Sequence, residues 1–299
     1  MIVVGHREKI RVMGILWLLS TALLAQETGL DRARLASQAQ SFAEQLPNLI
    51  GTEVLKQKSI QYSTRMRIRV GEAALRPIAP KVAEREIRSE IGYSLRGKES
   101  PVWSELRKVI DVDGRVVTAP KKARERLAFG LKSDDDRTRL KLMEEFTRYG
   151  LQGLATDYGL SLLLFRFGDI DKMRFQALAT EFIGADQVAV FAFKRADTDV
   201  AVTVFDGKQA SRQPLNGRIW LRQSDMQPIR IQLVALTIQD KTQVMDEGII
   251  EYGPSKFGCV VPASVRYTRL INGVLTLETQ YLYKDFQKFG ADAELKFTP

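Results

Sequence analysis

The chain has 299 residues, with 45 Lys+Arg against 36 Asp+Glu, one histidine and one cysteine. That length suits one large domain or two modest ones, and a net charge of +9 favours anionic partners. One cysteine forbids an intramolecular disulfide, and the only histidine, His6, lies upstream of an apolar run near the start.

That run, Met13 to Ala25, follows Arg7, Lys9 and Arg11, which is the layout of a secretory signal peptide. It spans thirteen residues, whereas a membrane-crossing helix needs about 20, so a cleaved leader is favoured over an uncleaved anchor. Small residues place the cleavage before Gln26 and the protein in the periplasm or outside the cell. Residues 1–25 therefore read as signal peptide and 26–299 as a single domain, with a subdivision near 120–135 as the alternative. Cleavage removes three bases and one acid and leaves a net charge of +7. Outside the cytoplasm the anions in reach are lipid head groups, envelope polysaccharide and acidic proteins, so no nucleic-acid partner is expected.

A body without histidine excludes Ser-His-Asp and Cys-His catalysis, HExxH zinc sites and histidine-ligated copper or iron. No phosphate-binding loop or GxGxxG motif is present, so neither a cofactor nor a metal is expected. Cys259, in Gly258-Cys259-Val260-Val261-Pro262, reads as a buried thiol acting as a small hydrophobe.

Asp31 to Leu46 is expected to be an amphipathic helix with Leu35, Ala39, Phe42 and Leu46 on one face. Pro47 ends it. Arg65 to Val70 alternates as a strand, placing Arg65, Arg67 and Arg69 together as candidates for a basic rim. Arg76 to Pro80 and Ala119 to Lys122 read as loop-like breaks. Glu84 to Leu95 reads as a strand on which Glu84, Glu86 and Glu90 share a face with Arg88. A solvated face pairing across to Arg65, Arg67 or Arg69 explains these acids better than a glycosidase pair, which must project into a cleft. Val109 to Val117 reads as a strand broken by a hairpin turn at Asp113-Gly114. A second helix is expected from Ser133, with Ser133-x-x-Asp136 as a capping box and Leu140, Met143 and Phe146 as its buried side. The three consecutive acids Asp134 to Asp136 point in different directions, which suits helix capping and not a metal site. Tyr158 to Phe165 is apolar nearly all round and is expected to be a short buried helix.

From Met173 onward nearly everything reads as strand: Phe175–Phe182, Val188–Lys194, Ala201–Phe205, Arg218–Arg222, Ile229–Ile238, Gln243–Tyr252, Ala263–Leu270 and Val274–Phe286. Turns are expected at Phe205 to Lys208, Ser224 to Gln227, Tyr252 to Ser255 and, most clearly, Asn272-Gly273. Short turns between evenly spaced strands imply an antiparallel meander. Ile229, Ile231 and Leu233 share one face, and Leu275, Leu277, Tyr281 and Tyr283 repeat the pattern in the last hairpin, so these seven are the apolar-face candidates. The expected fold is α+β: a curved antiparallel sheet, a half-barrel or incomplete barrel, packed around a few helices.

Gly217-Arg218-Ile219-Trp220-Leu221 followed by Gln227-Pro228-Ile229-Arg230-Ile231 resembles the hairpin of outer-membrane lipoprotein-sorting proteins, the Lol carrier and receptor family. Ile250 to Gly253, Val261-Pro262-Ala263 and Tyr283 to Phe286 continue the likeness. This resemblance implies a half-barrel with a helical lid over an apolar cavity that holds acyl chains. The chain after residue 25 is also similar to a group of uncharacterised exported bacterial proteins, through Leu46-Pro47-Asn48, Val109 to Arg115 and Tyr283 to Phe289. Where that group often carries a cysteine just after the Pro-Asn pair, this chain has Gly51.

The function expected is non-catalytic binding or carriage of a lipid or lipoprotein-like ligand, with basic residues meeting an anionic membrane surface. An envelope assembly protein acting through a sheet edge or face is the second class, and a carboxylate-dependent hydrolase the third.

Overall fold

The computed structural model describes residues 29–63, 78–96, 102–133, 136–151, 155–195, 202–206, 209–213, 216–239 and 241–288. The N-terminal apolar run, Arg65, Arg67 and Arg69, and Asp134 and Asp135 lie outside the described residues. Asp31 caps α1 (Arg32–Gln45), its carboxylate accepting the Arg34 amide at 2.9 Å. Leu35, Ala39 and Phe42 are buried along one side, with Leu46 below them. A short 3-10 turn carrying Pro47 leads into β1 (Leu49–Gln61).

β1 is a strand that apolar alternation does not announce. Its Glu53 and Gln57 occupy inward positions beside Leu49 and Leu55, while Ile50 is buried on the opposite face. β2 (Lys81–Arg96) and β3 (Val102–Val112) follow, and β3 starts earlier than expected. Asp113 and Gly114, at φ 50° and 76°, turn the chain into β4 (Arg115–Val116).

The expected break at Ala119 to Lys122 is instead the start of α2 (Pro120–Lys132). Pro120 sits in the first helical turn, where a missing N–H costs nothing and a fixed φ helps. α3 (Asp136–Tyr149) follows. Its buried side carries Leu142 and Phe146, whereas Leu140, expected to be buried, is 48% exposed. Arg139 takes the inner position one turn back, reaching the Gly130 carbonyl at 3.4 Å.

β5 (Ala155–Thr156) precedes Tyr158–Phe165, which is a 3-10 helix with all eight residues buried. Then come β6 (Met173–Ile183), β7 (Asp186–Arg195), β8 (Val202–Asp206), β9 (Gln209–Gln213), β10 (Asn216–Arg222) and β11 (Pro228–Gln239). β12 (Thr242–Pro254), β13 (Val260–Ile271) and β14 (Val274–Lys288) are the last of the described elements. β12 runs through Gly253 and Pro254, so the turn expected at Tyr252 to Ser255 falls later, where Gly258 has φ 78°. Asn272 and Gly273, at φ 50° and 78°, make the β13–β14 hairpin.

Eleven strands form one open antiparallel sheet in the order β4-β3-β2-β1-β14-β13-β12-β11-β10-β7-β6, and β5-β8-β9 form a small separate sheet. The fold is therefore the α+β architecture expected, a large unclosed antiparallel sheet with helices packed on it. One main core fills the inner face, where α1 and Tyr158–Phe165 meet inward residues of almost every long strand. α2 and α3 pack mainly on the other face, α2 on β2 and β3 and α3 on β3, through Leu106, Leu127, Leu142 and Ile50 of β1, while Phe146 of α3 reaches the main core.

The acids of β2 divide accordingly. Glu84 and Glu86 pair across to Lys58 and Lys56 of β1 at 3.7 and 3.4 Å, on an exposed face. Glu90 is only 2% exposed, covered on the α2 side, where Arg124 reaches it at 3.1 Å. The solvated reading therefore holds for two of the three.

Candidate functional site

The inner face of the sheet is the candidate site, and the 3-10 segment Tyr158–Phe165 is its present occupant. Leu160, Leu162, Leu163, Leu164 and Phe165 all enter the main core. Phe165 packs edge-on to Phe193 at 5.0 Å, and Tyr158 lies 5.6 Å from Tyr267. The ring of Tyr158 lies where a side chain of β12 would stand. A Cβ on Gly248 would come within 2.1 Å of it, so only glycine lets the ring settle there.

Polar anchors hold the segment at its front. The Tyr252 hydroxyl accepts the Leu162 amide at 3.0 Å and donates to the Gly159 carbonyl at 3.3 Å. Asp157, at φ 69°, exchanges two bonds with Glu105: its amide donates to Glu105 Oε2, and its Oδ1 accepts the Glu105 amide, both at 3.0 Å. The Glu105 carboxylate also comes so close to Gly159 that a Cβ there would stand 2.5 Å from Oε1.

Glu105 belongs to a buried charged cluster on the inner face of β1 and β3. Arg107 donates from Nε and a terminal nitrogen to both oxygens of Glu53, at 2.7 to 3.0 Å, and from that terminal nitrogen to Glu105 at 2.6 Å. The guanidinium is stacked near Phe146 and Tyr281, at 4.8 and 5.6 Å from their ring centres. All three charged side chains are at most 2% exposed. Two carboxylates share one cation, so one negative charge is left over. Burial accordingly pushes Glu53 above the ordinary carboxylate range, with Arg107 and the Tyr283 hydroxyl opposing the shift. For Arg107, burial works against the charge, but Glu53 and Glu105 outweigh it and hold the guanidinium protonated. Burial likewise raises Tyr93, Tyr281 and Tyr283 well above the ordinary tyrosine range.

Beside the cluster, a cavity of about 10 Å³ is bounded by Glu105, Arg107, Met143, Phe146, Thr147 and Thr156. That is room for about one water molecule. Both carboxylates are committed to Arg107, and the cavity that Glu105 borders has no room for a sugar or an ester. Their chemistry is that of a structural ion cluster, which costs much to break.

A second inward cluster sits on β12 and β13. Asp246 accepts the Tyr267 hydroxyl at 2.6 Å and two bonds from Arg269, at 2.7 and 3.1 Å. Cys259 is buried and free, and burial pushes its thiol up. Among the described residues no group of three or more His, Cys, Asp or Glu could hold a metal.

Of the seven apolar-face candidates, Ile231, Leu233, Leu277, Tyr281 and Tyr283 lie on the inner face within the main core. Ile229 and Leu275 do not. β10 and β11 pair Trp220 with Arg230 but Leu221 with Pro228, so Ile229 is an extra residue in a bulge. It packs on the outer face with Val188, Val190 and Trp220. In the last hairpin Arg269 pairs with Leu277 but Leu270 with Leu275, which makes Thr276 the extra residue and turns Leu275 outward. Each bulge inverts the alternation from which the face was read. Glu53, Glu105 and Arg107 were not singled out in the sequence. Their signal was charge at inward positions of strands whose other inward residues, Leu55, Trp103 and Val109, are apolar.

No family model matches the chain, and no curated protein matches it. Among solved structures it is similar to a domain assigned to an outer membrane lipoprotein-sorting protein from Vibrio parahaemolyticus, at 10% identity and a TM-score of 0.36, covering 87% of this chain and 95% of that one. It is similar to a LolA superfamily protein from Nitrosomonas europaea at 11% identity and a TM-score of 0.35, covering 84% and 93%. It is also similar to a DUF1329 family protein from Desulfovibrio piger at 10% identity and a TM-score of 0.37, covering 88% and 92%.

Proposed function

We propose that this protein is a non-catalytic binder of acyl chains or of a lipoprotein-like ligand in the bacterial envelope, taking the chain against the inner face of its sheet. The observation that carries the reading is the Tyr158–Phe165 segment: eight consecutive buried residues held in 3-10 geometry inside the sheet. Runs of 3-10 helix longer than about four residues are uncommon, because their hydrogen bonds are poorly aligned. This segment is therefore a weakly bonded apolar plug that a better apolar occupant can replace.

The magnitudes permit the exchange. Releasing Leu160, Leu162, Leu163, Leu164 and Phe165 to water costs about 8–15 kcal/mol at about 1.5–3 kcal/mol each. A chain of about 16 carbons gains about 13 kcal/mol at about 0.8 kcal/mol per methylene. Long chains can take the place of the plug, and chains of half that length cannot. Arg65, Arg67 and Arg69 are the proposed rim cations for an anionic head group, and the inward candidates Ile231, Leu233, Leu277, Tyr281 and Tyr283 the proposed contact surface.

Titration with a fluorescent long-chain fatty acid, alongside native mass spectrometry of protein taken from its own envelope, tests the reading. Tyr252→Phe removes the hydroxyl that anchors Leu162 and Gly159, and is expected to increase uptake several-fold, since a net hydrogen bond is worth about 1 kcal/mol. Absence of bound lipid in the native spectra, together with no uptake by either the unmodified protein or Tyr252→Phe, sinks the carrier reading. That result would leave the envelope-assembly reading, in which a sheet edge or face meets another protein.

A further inference from the structure

The two ends of the eleven-stranded sheet are protected very differently. At one end β4 covers only Asp111 and Val112 of β3, but the β3 edge is also met by Val117 and Thr118 at Ile110 and by Asp157 at Glu105. At the other, β6 runs for eleven residues and pairs only with β7 among the described residues. Its sequence, MRFQALATEFI, contains neither proline nor lysine, two residues that commonly blunt an open edge. Leu178 is 40% exposed and Phe182 73% exposed on this strand. An edge of this length and composition is a template for one more strand.

We infer that β6 pairs antiparallel with β6 of a second copy of this chain, joining two sheets across a two-fold axis. The charge pattern of the strand specifies this occupant. About an axis between Ala177 and Leu178, Arg174 of each copy stands opposite Glu181 of the other, giving two symmetric ion pairs. Arg174 and Glu181 are both exposed.

Seven residues separate them, and in an unbroken strand an odd spacing would put them on opposite faces. The β6 bulge removes that conflict. Ala177 pairs with Phe191 and Thr180 with Ala189, so three steps along β6 match two along β7 and the alternation inverts. Arg174 and Glu181 therefore both project from the outer face, where Trp220 Nε1 donates to Glu181 Oε2 at 3.1 Å and steadies its carboxylate. The same register places Met173 opposite Phe182 and Phe175 opposite Thr180, all on the inner face, so the exposed Phe182 ring gains an apolar neighbour. Only the Ala177–Leu178 pair at the axis is mismatched in face, and Ala177 is small enough to permit it. An isologous contact of this kind closes on itself and yields a dimer, not a fibre.

Sedimentation velocity of the purified protein over a concentration series tests the pairing. The unmodified protein is expected to dimerise, and Arg174→Glu and Glu181→Arg are each expected to weaken the dimer about tenfold or more, because each reversal sets like charges opposite one another twice. The double variant Arg174→Glu/Glu181→Arg restores both pairs and should regain the dimer. In the unmodified protein, raising the salt concentration should weaken association, a readout that requires no variant. A protein that stays monomeric at its highest soluble concentration overturns the inference. So does a dimer indifferent to either reversal, or one that the double variant fails to rescue.

Discussion

The sheet behaves differently at β1–β3 and at β11–β13. Around β1–β3 both faces are covered, by the main core within and by α2 and α3 without. Around β11–β13, among the described residues, only the inner face is covered, and Leu236 and Ile238 on the outer face are 52% and 72% exposed. The covered region holds Glu53, Arg107, Glu105 and Glu90 out of water. The one-sided region keeps most of its charge outside, as in the 2.7 Å pair of Arg230 with Glu251. Cover on the outer face adds Glu90 to the charges held out of water, and a charge buried on either face, Asp246 included, must find a partner within the protein.

Three measurements bear on this contrast. The largest effect is expected from Arg107→Met, which strands two buried carboxylates. Breaking a buried ion cluster in this way costs about 3–5 kcal/mol, read as a lower midpoint in urea unfolding. A loss below about 1 kcal/mol, the size typical of surface pairs, would show that the β1–β3 charges are no more structural than exposed ones.

The second effect is a pH dependence. Glu53 is raised above its unfolded value of 4.5 by burial. Between 4.5 and the raised value the native state holds more protons than the unfolded chain, so the Glu53 contribution to stability falls as pH rises through that window. Glu53→Gln removes this term while leaving Arg107 paired with Glu105. The stability difference between the unmodified protein and Glu53→Gln should therefore shift against the unmodified protein as pH increases from the ordinary carboxylate range towards neutrality. A difference that is flat with pH, or of opposite slope, removes the surplus negative charge from the account.

The smallest effect is expected on the one-sided region. Leu236 stands in an outward row with Met245, Leu270 and Leu275. Leu236→Lys should change stability by no more than about 0.5 kcal/mol, as surface substitutions usually do. A cost of several times that, seen as a lowered melting temperature, would mean that this outer face is covered in solution.

The same division explains what the sequence disclosed. In the one-sided region alternation could be read directly, and the strands from Ile229 to Phe286 and the Asn272-Gly273 turn stand close to where they were expected. The errors there, Ile229 and Leu275, lie at or beside bulges, where one extra residue inverts the pattern without any mark in the composition. In the two-sided region alternation is legible in β2 but not in β1. β1 has Ile50 buried on one face and Leu49, Glu53, Leu55 and Gln57 on the other, so its burial alternates but its apolar residues do not. α2 was hidden because Ala119 to Lys122 reads as a loop-like break, whereas Pro120 opens a helix. The plug was legible as a buried apolar segment, but its 3-10 geometry was not. The ion cluster was invisible because its partners, Glu53 and Arg107, are 54 residues apart and meet only through the register of three strands.

The order of the strands has a consequence in time. β1 pairs with β14, so the first and last long strands of the fold are neighbours near the middle of the sheet. Leu49 faces Lys288, a separation spanning most of the described chain. Contacts so distant in sequence impose a large loop-closure entropy and slow folding. A chain emerging from its N-terminus would hold β1–β3, with Glu53, Glu105 and Arg107, on one side of a seam that stays open until β14 arrives. Until then Tyr281 and Tyr283, which wall the cluster, are absent, and the incomplete intermediate exposes a polar core and an unpaired β1 edge together. Loss of the last hairpin alone would therefore divide the sheet at its middle, not trim its border.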